Sequence, residues 1–284
     1  MRQRKIRKRQ ESGLREGAGE IDRRPCHAVR RRQQPLFACW EQVAVRLRAA
    51  ANLALFLDFD GTLVPLQRDP ERVWLDHPTQ RLLQRLAGHP RVKVCLISGR
   101  RRRDLIQRVG VRGASYLGLH GLENGAAAAS RGLPLGLVSR ARRELAARLA
   151  GLPKVWIEDK GLSFAVHYRG APSRVVNRAR SLLREYMASL APVLRVLEGK
   201  KIWEVLPRQV EGKGKALRDA LATLPKSVLP IYIGDDTTDE SAFAELETGL
   251  TIRVGLRTPT RAQYVLRSPA EVRLFLSRLE AEIS

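Results

Sequence analysis

Much is missing from this chain, and the gaps narrow what it can be. Cysteine is scarce: Cys26, Cys39 and Cys95 are odd in number and far apart among 284 residues. Neither a disulfide framework nor a zinc-ligand spacing can be built from them. No apolar run approaches the roughly 20 residues that span a bilayer. The N-terminus carries arginines where a secretion signal would carry an apolar core. These absences lead to the expectation of a reducing cytoplasm and of no membrane partner. Acids are also short, 29 Asp and Glu against 52 Lys and Arg, for a net charge of +23. Nucleic acid is one reading of such charge, because Lys and Arg release counterions from phosphates. Aromatic residues, however, make up only 5% of the chain, and the arginines are spread over helix faces without stacking partners. An arginine-rich coding habit is the simpler account, and nucleic acid is set aside as the expected partner. A basic protein still favours anionic small molecules.

What is present begins with a split in composition. Residues 1–35 hold 12 Lys or Arg against four Asp or Glu, a net of +8, with few apolar residues. They read as a basic, disordered tail. Residues 36–52 suit a short amphipathic helix. Apolar runs and helical periodicities then alternate. Strands are expected at 53–59, 92–98, 115–121, 228–233 and 250–254, with helices at 78–86, 101–109, 238–246 and 269–282. Such alternation predicts a doubly wound, Rossmann-like parallel sheet with helices on both faces, an α/β core. The middle differs. Residues 154–169 and 193–207 each read as a hairpin, the first turning at Asp159-Lys160-Gly161, and residues 173–190 as a long amphipathic helix. This block predicts an inserted α+β domain at 130–206, between core segments 36–129 and 207–284. Trp156, Phe164 and Trp203 are expected in its core, with a ligand-stacking platform as the alternative.

Four short stretches sit at expected strand ends or helix starts, where open α/β sheets bind ligands. In "DFDGT", Asp58 and Asp60 share one side of a strand end. Crowded carboxylates repel unless a cation lies between them, and a hard cation such as Mg²⁺ takes oxygen ligands. A plain Asp-Gly turn is the alternative. Ser98 in "ISGR" offers a hydroxyl ahead of a helix, or merely marks the end of a strand. Lys213 in "GKGKAL" offers a point charge for phosphate, or belongs to a solvated loop. Asp235 and Asp236 in "IGDDTTDE" repeat the strand-end position of Asp58, or serve the dipole of a following helix.

Taken in order, the four stretches resemble the motifs of the haloacid-dehalogenase-like phosphatase superfamily. Further matches resemble the trehalose-6-phosphate phosphatase family, whose α+β insertion is a cap: "GLHGLENG" (118–125), "EDKGLSFAVHYR" (158–169) and "IWEVLP" (202–207). The resemblance implies a Mg²⁺-dependent hydrolase acting on trehalose 6-phosphate. It implies that Asp58 attacks phosphorus to form an aspartyl phosphate and that Asp60 serves as proton donor and acceptor. Ser98 and Lys213 would hold phosphoryl oxygens. Asp58, the Asp60 carbonyl and Asp235 would bind Mg²⁺, with Asp236 assisting from outside the ligand set. Sugar contacts would come from Glu158, Lys160 and Glu204 in the cap and from Arg100, His120 and Glu123 on the core rim. For each of these a structural role is the alternative, His120 as a satisfied strand-end histidine, Glu158 with Lys160 as a surface pair. A phosphatase of another sugar phosphate, of the sucrose or glycosylglycerate type, and an inactive basic nucleic-acid-binding protein are the rivals. The partner expected is a small sugar phosphate, the chain a monomer. Deleting residues 1–35 is expected to leave turnover intact; phosphate-release kinetics on the truncated chain would check this, and a large loss would refute it.

Overall fold

The computed structural model describes residues 34–67, 69–124, 132–199, 201–256 and 259–284. A two-residue strand, β1 (Gln34–Pro35), leads through a 3₁₀ turn into α1 (Trp40–Ala49). There follow β2 (Asn52–Leu57), α2 (His77–Gly88), β3 (Val92–Ile97), α3 (Arg102–Val109) and β4 (Ser115–Leu117). The middle of the chain forms α4 (Leu135–Leu149), β5 (Trp156–Asp159), β6 (Phe164–His167), α5 (Ser173–Ala188), β7 (Leu194–Gly199) and β8 (Ile202–Pro207). It closes with α6 (Lys213–Ala222), β9 (Val228–Gly234), α7 (Glu240–Glu245), β10 (Leu250–Val254), β11 (Tyr264–Leu266) and α8 (Pro269–Ile283). No helix among the described residues is long and apolar enough to cross a membrane.

Seven strands form one parallel sheet in the order β1-β11-β10-β9-β2-β3-β4. Both of its faces are covered, which explains why β2 reads "NLALFL" without polar alternation. Leu53, Leu55 and Leu57 point into a core shared with Val43 and Leu47 of α1, Leu83 of α2 and Phe275 of α8. Ala54 and Phe56 point the other way, toward Leu217 of α6 and Phe243 of α7. Strands β5–β8 form a separate antiparallel sheet in the order β5-β6-β8-β7. Only one of its faces is apolar: Phe164, Val166, Trp203 and Val205 pack on Leu145 of α4 and Leu183 of α5. The α/β core with an α+β insertion expected from the sequence is the architecture observed.

Three details differ from expectation. Gln34 and Pro35, assigned to the basic tail, pair with Tyr264 and Val265 of β11. The rest of that tail lies outside the described residues, so residue 33 is the better truncation point. The strand expected to run through residue 121 stops at Leu117. There the chain turns, with Leu119 and His120 at φ of 48° and 57°. The turn lets the Leu119 and His120 amides donate to the Arg100 and Ser98 carbonyls at 2.8 and 2.9 Å. The helix expected at 238–246 is split into a 3₁₀ turn, Thr237–Asp239, and the shorter α7.

Central position makes β2 the most sensitive strand. Leu55 is fully buried and pairs with Val94 on one side and Ile231 on the other. Leu55→Ala should cost about 3 kcal/mol through lost burial and the cavity left behind, read as a lower urea midpoint at unchanged slope.

Candidate active site

The strand order reverses at β2. From it the chain runs to β3 and β4 on one side, while β9 to β11 lie on the other. A crevice opens at the carboxyl ends of strands at such a point. The register pairs Leu57 with Ile233, and the Asp58 amide donates to the Ile233 carbonyl at 2.9 Å. The two acidic strand ends, about 175 residues apart in sequence, are thereby neighbours. Two glycines permit the approach. Gly61 takes φ of +88°, and a Cβ on it would overlap the Asp235 carboxylate. A Cβ on Gly234 would overlap the Asp239 carboxylate.

Lys213 is buried at the start of α6, with only 3% of its side chain exposed. Its ammonium donates to Asp58 Oδ1 at 2.7 Å and to Asp239 Oδ1 at 2.8 Å. Burial works against its charge, but the two carboxylates outweigh burial and hold the lysine firmly protonated. Asp239 Oδ1 also accepts from the Tyr232 hydroxyl at 2.7 Å. Asp239 Oδ2 accepts from the amides of Asp235 and Asp236 at 3.0 and 2.8 Å. Despite burial, this group is held below the usual carboxylate range by Lys213 and by these donors. Asp58 is the opposite case: burial pushes it well above the usual range, and Asp239 and Asp235 add to the push against Lys213. Thr62 donates to its Oδ2 at 3.1 Å.

Oxygens of Asp58, Asp235 and Asp239 all lie within 4.8 Å of one another. Three buried acids around one lysine carry surplus negative charge, and a hard divalent cation suits such oxygen donors. Within this cluster Asp239 is the most heavily hydrogen-bonded, with four donors. The cluster does not include the carboxylate of Asp60, whose backbone carbonyl was the expected ligand, or that of Asp236, expected to assist from outside the ligand set. Asp236 instead caps the 3₁₀ turn, accepting from the Thr237 amide at 2.7 Å. Asp60 is gripped by Arg100, Nε to Oδ2 at 2.6 Å and Nη2 to Oδ1 at 2.7 Å. Arg100 also donates to Asp104 at 3.0 Å, and its amide donates to the buried Ser98 hydroxyl at 3.2 Å.

The second sheet lends its polar face. Lys160 donates to the Gly99 carbonyl at 3.0 Å and stands 3.5 Å from Glu204. Glu204 Oε2 meets His120 Nε2 at 2.7 Å, and its Oε1 accepts from Ser163 at 3.0 Å. Burial would raise the Glu204 carboxyl, but Lys160 and His120 hold it far below the usual range. His120, Lys160 and Glu204 therefore come together as a tie between the sheets. Glu158 pairs with His167 at 2.8 Å. Glu123 is the exception. Its carboxylate accepts from the Arg102 amide at 2.6 Å, at the start of α3, and it does not line the cleft.

Between the sheets lies a cleft of about 740 Å³. Asp58, Asp60, Ser98, Arg100, His120, Glu158, Lys160, Glu204, Lys213, Asp235 and Asp236 all line it. Asp239, which holds Lys213, has no role in the sequence reading, and its spacing offers no signal that sets it apart from Asp236. That reading also misplaced Trp156, which stands in the cleft wall; Phe164 and Trp203 are buried as expected.

A family model described as trehalose-phosphatase matches residues 56–270. The trehalose-phosphate phosphatase of Mycobacterium bovis is 37% identical over 254 residues, covering 82% of this chain and 63% of that protein. The chain thus spans less than two thirds of the length of the mycobacterial relatives it matches. A trehalose 6-phosphate phosphatase of Zea mays is 34% identical over 268 residues, covering 82% of this chain and 72% of that protein. The solved C-terminal domain of a C. albicans trehalose-6-phosphate phosphatase superposes with a TM-score of 0.76, covering 89% of this chain and 100% of that one. At 22% identity, that likeness speaks to fold alone.

Removing one member of a buried ion network leaves an uncompensated charge. Asp239→Ala should therefore destabilise the chain by about 3–5 kcal/mol. Asp236→Ala, which removes only a cap, should cost about 1 kcal/mol. Urea unfolding of the two variants would check the difference.

Proposed function

This chain belongs to the trehalose-phosphatase family, and we propose that it hydrolyses trehalose 6-phosphate to trehalose and inorganic phosphate. The observation that carries the reading is the buried Asp58 carboxylate, held by Lys213 at 2.7 Å beside Asp235 at the mouth of a cleft. Phosphoryl transfer needs positioning and charge neutralisation more than covalent machinery. An anchored carboxylate beside a fixed ammonium offers both.

Asp58 attacks phosphorus through a carboxylate oxygen, and the bond from phosphorus to the sugar oxygen breaks. The leaving oxygen takes a proton from Asp60. Asp60, now a carboxylate, then accepts a proton from water, which attacks the aspartyl phosphate. Phosphate departs and the Asp58 carboxylate is restored. To reach the leaving oxygen, Asp60 has to turn off the Arg100 fork, so Arg100 sets where Asp60 waits between proton transfers. Ser98 and Lys213 hold phosphoryl oxygens through a hydroxyl and an ammonium. Mg²⁺ fits the Asp58 and Asp235 carboxylates and, when bound, supplies positive charge that neutralises the transferring phosphoryl group. Glu158, Lys160, Glu204 and His120 supply the acceptors and donors that a disaccharide's hydroxyls require. Glu123 acts at one remove, by capping α3 behind Arg100. The reading takes residues 130–206 as the cap and the chain as a cytoplasmic monomer.

Incubation with Mg²⁺ and a panel of sugar phosphates tests the proposal through released phosphate. Release preferentially from trehalose 6-phosphate supports it. Preference for another sugar phosphate would move the substrate, and silence across the panel would sink the phosphatase reading. Asp58→Asn should lower kcat by roughly a thousandfold or more, since the nucleophile is gone. Chelation should abolish turnover, and added Mg²⁺ should restore it.

A further inference from the structure

Successive residues of a strand alternate between faces, and directly paired residues share one. Trp156 pairs with His167, and His167 with Ile202, so this row lies on the face of the second sheet opposite Trp203 and Val166. That opposite face is the apolar one, packed on α4 and α5. Trp156 is 48% exposed and lines the cleft. Its indole lies flat on the His167 ring, with centroids 3.9 Å apart and planes 4° from parallel. His167 is itself held, its Nε2 meeting Glu158 at 2.8 Å. An exposed indole is thus fixed in orientation by a backing ring, with a carboxylate two residues away on the same face.

Packing does not account for this exposure, since burial of the indole against α4 or α5 would have removed more apolar surface from water. The arrangement suits a ligand with an apolar face and a polar edge. A pyranose ring is such a ligand: its flat C–H patch meets the negative face of an aromatic ring, while its hydroxyls reach outward. The Glu158 carboxylate is an acceptor for one of them. We propose that Trp156 is a sugar-stacking platform that makes this site selective for glycosyl phosphates. The inference rests on the phosphatase reading above, because the phosphoryl group is what brings the sugar to this wall. Trp156 touches the sugar and not the reacting atoms, so its contribution is to binding and selection rather than to bond making.

Steady-state kinetics of Trp156→Ala and Trp156→Phe tests the platform, with orthovanadate inhibition as a sugar-free measure of the phosphoryl site. Trp156→Ala should lower kcat/KM for trehalose 6-phosphate on the order of tenfold, chiefly through KM, with the vanadate inhibition constant within about twofold of wild type. Trp156→Phe keeps a flat ring and should recover most of the loss. The indole is half exposed, so both variants should melt close to wild type. An unchanged kcat/KM in Trp156→Ala overturns the proposal, as does a vanadate constant that moves in step with the loss. If the wild type prefers another glycosyl phosphate, the trehalose reading fails but the platform is judged on that substrate: a tenfold loss there upholds it, and none overturns it. A wild type that releases phosphate from no glycosyl phosphate defeats both.

Discussion

A buried lysine between two buried aspartates organises this molecule. An ammonium removed from water is tolerable only when paired, and Lys213 has Asp58 and Asp239 within 2.8 Å. Those partners stand 155 and 26 residues away in sequence. The network therefore joins the end of β2, the start of α6 and the loop after β9. Through the second oxygen of Asp239 it also fixes the amides of Asp235 and Asp236. That bond sets the backbone of the acidic loop, and with it the Asp235 carboxylate opposite Asp58. The crowding leaves no space for a side chain at Gly61 or Gly234. Site and fold are in this sense one network: the groups suited to chemistry are also the groups whose burial must be compensated.

The second sheet divides its labour by face. One face buries Trp203, Phe164 and Val205 against two helices and holds the insertion together. The other carries Trp156, Glu158, His167 and Glu204 into the cleft. Lys160 and Glu204 fasten it to the core by way of the Gly99 carbonyl and His120. In the proposed reading most sugar contacts come from this sheet, and His120 joins them from the core. The His120–Glu204–Lys160 tie also means that residues suited to sugar hydroxyls are, in this arrangement, partners of one another. A ligand must exchange with those hydrogen bonds, which favours one that offers several hydroxyls at once.

Much of this is legible in the amino-acid sequence, and the reason is local. The continuous apolar run of β2 and the alternation of strands and helices follow from burial on both faces of a parallel sheet. Strand ends and helix starts are where an open α/β sheet gathers polar groups. Asp58, Ser98, Lys213 and Asp235 are therefore identifiable by type and position, and the insertion by its hairpin turns. What stays hidden depends on partners far along the chain. Nothing in the spacing of "GDDTTDE" separates Asp239, which holds Lys213, from Asp236, which caps a turn. Nothing near Asp60 and Arg100 says that the two pair. Trp156 reads as core because tryptophan usually is, and β5 has only one apolar face to offer.

By itself the sequence determined most of the elements, the order of the candidate catalytic groups along the chain and the class of chemistry they suit, because these depend on periodicity and residue type over short distances. The tertiary structure alone decided which carboxylates cluster, which of them meet the lysine and which aromatic meets the cleft. Those outcomes depend on distances of a few ångströms between residues remote in sequence, and only the register of β2 against β9 and the pairing of β5 with β6 set them.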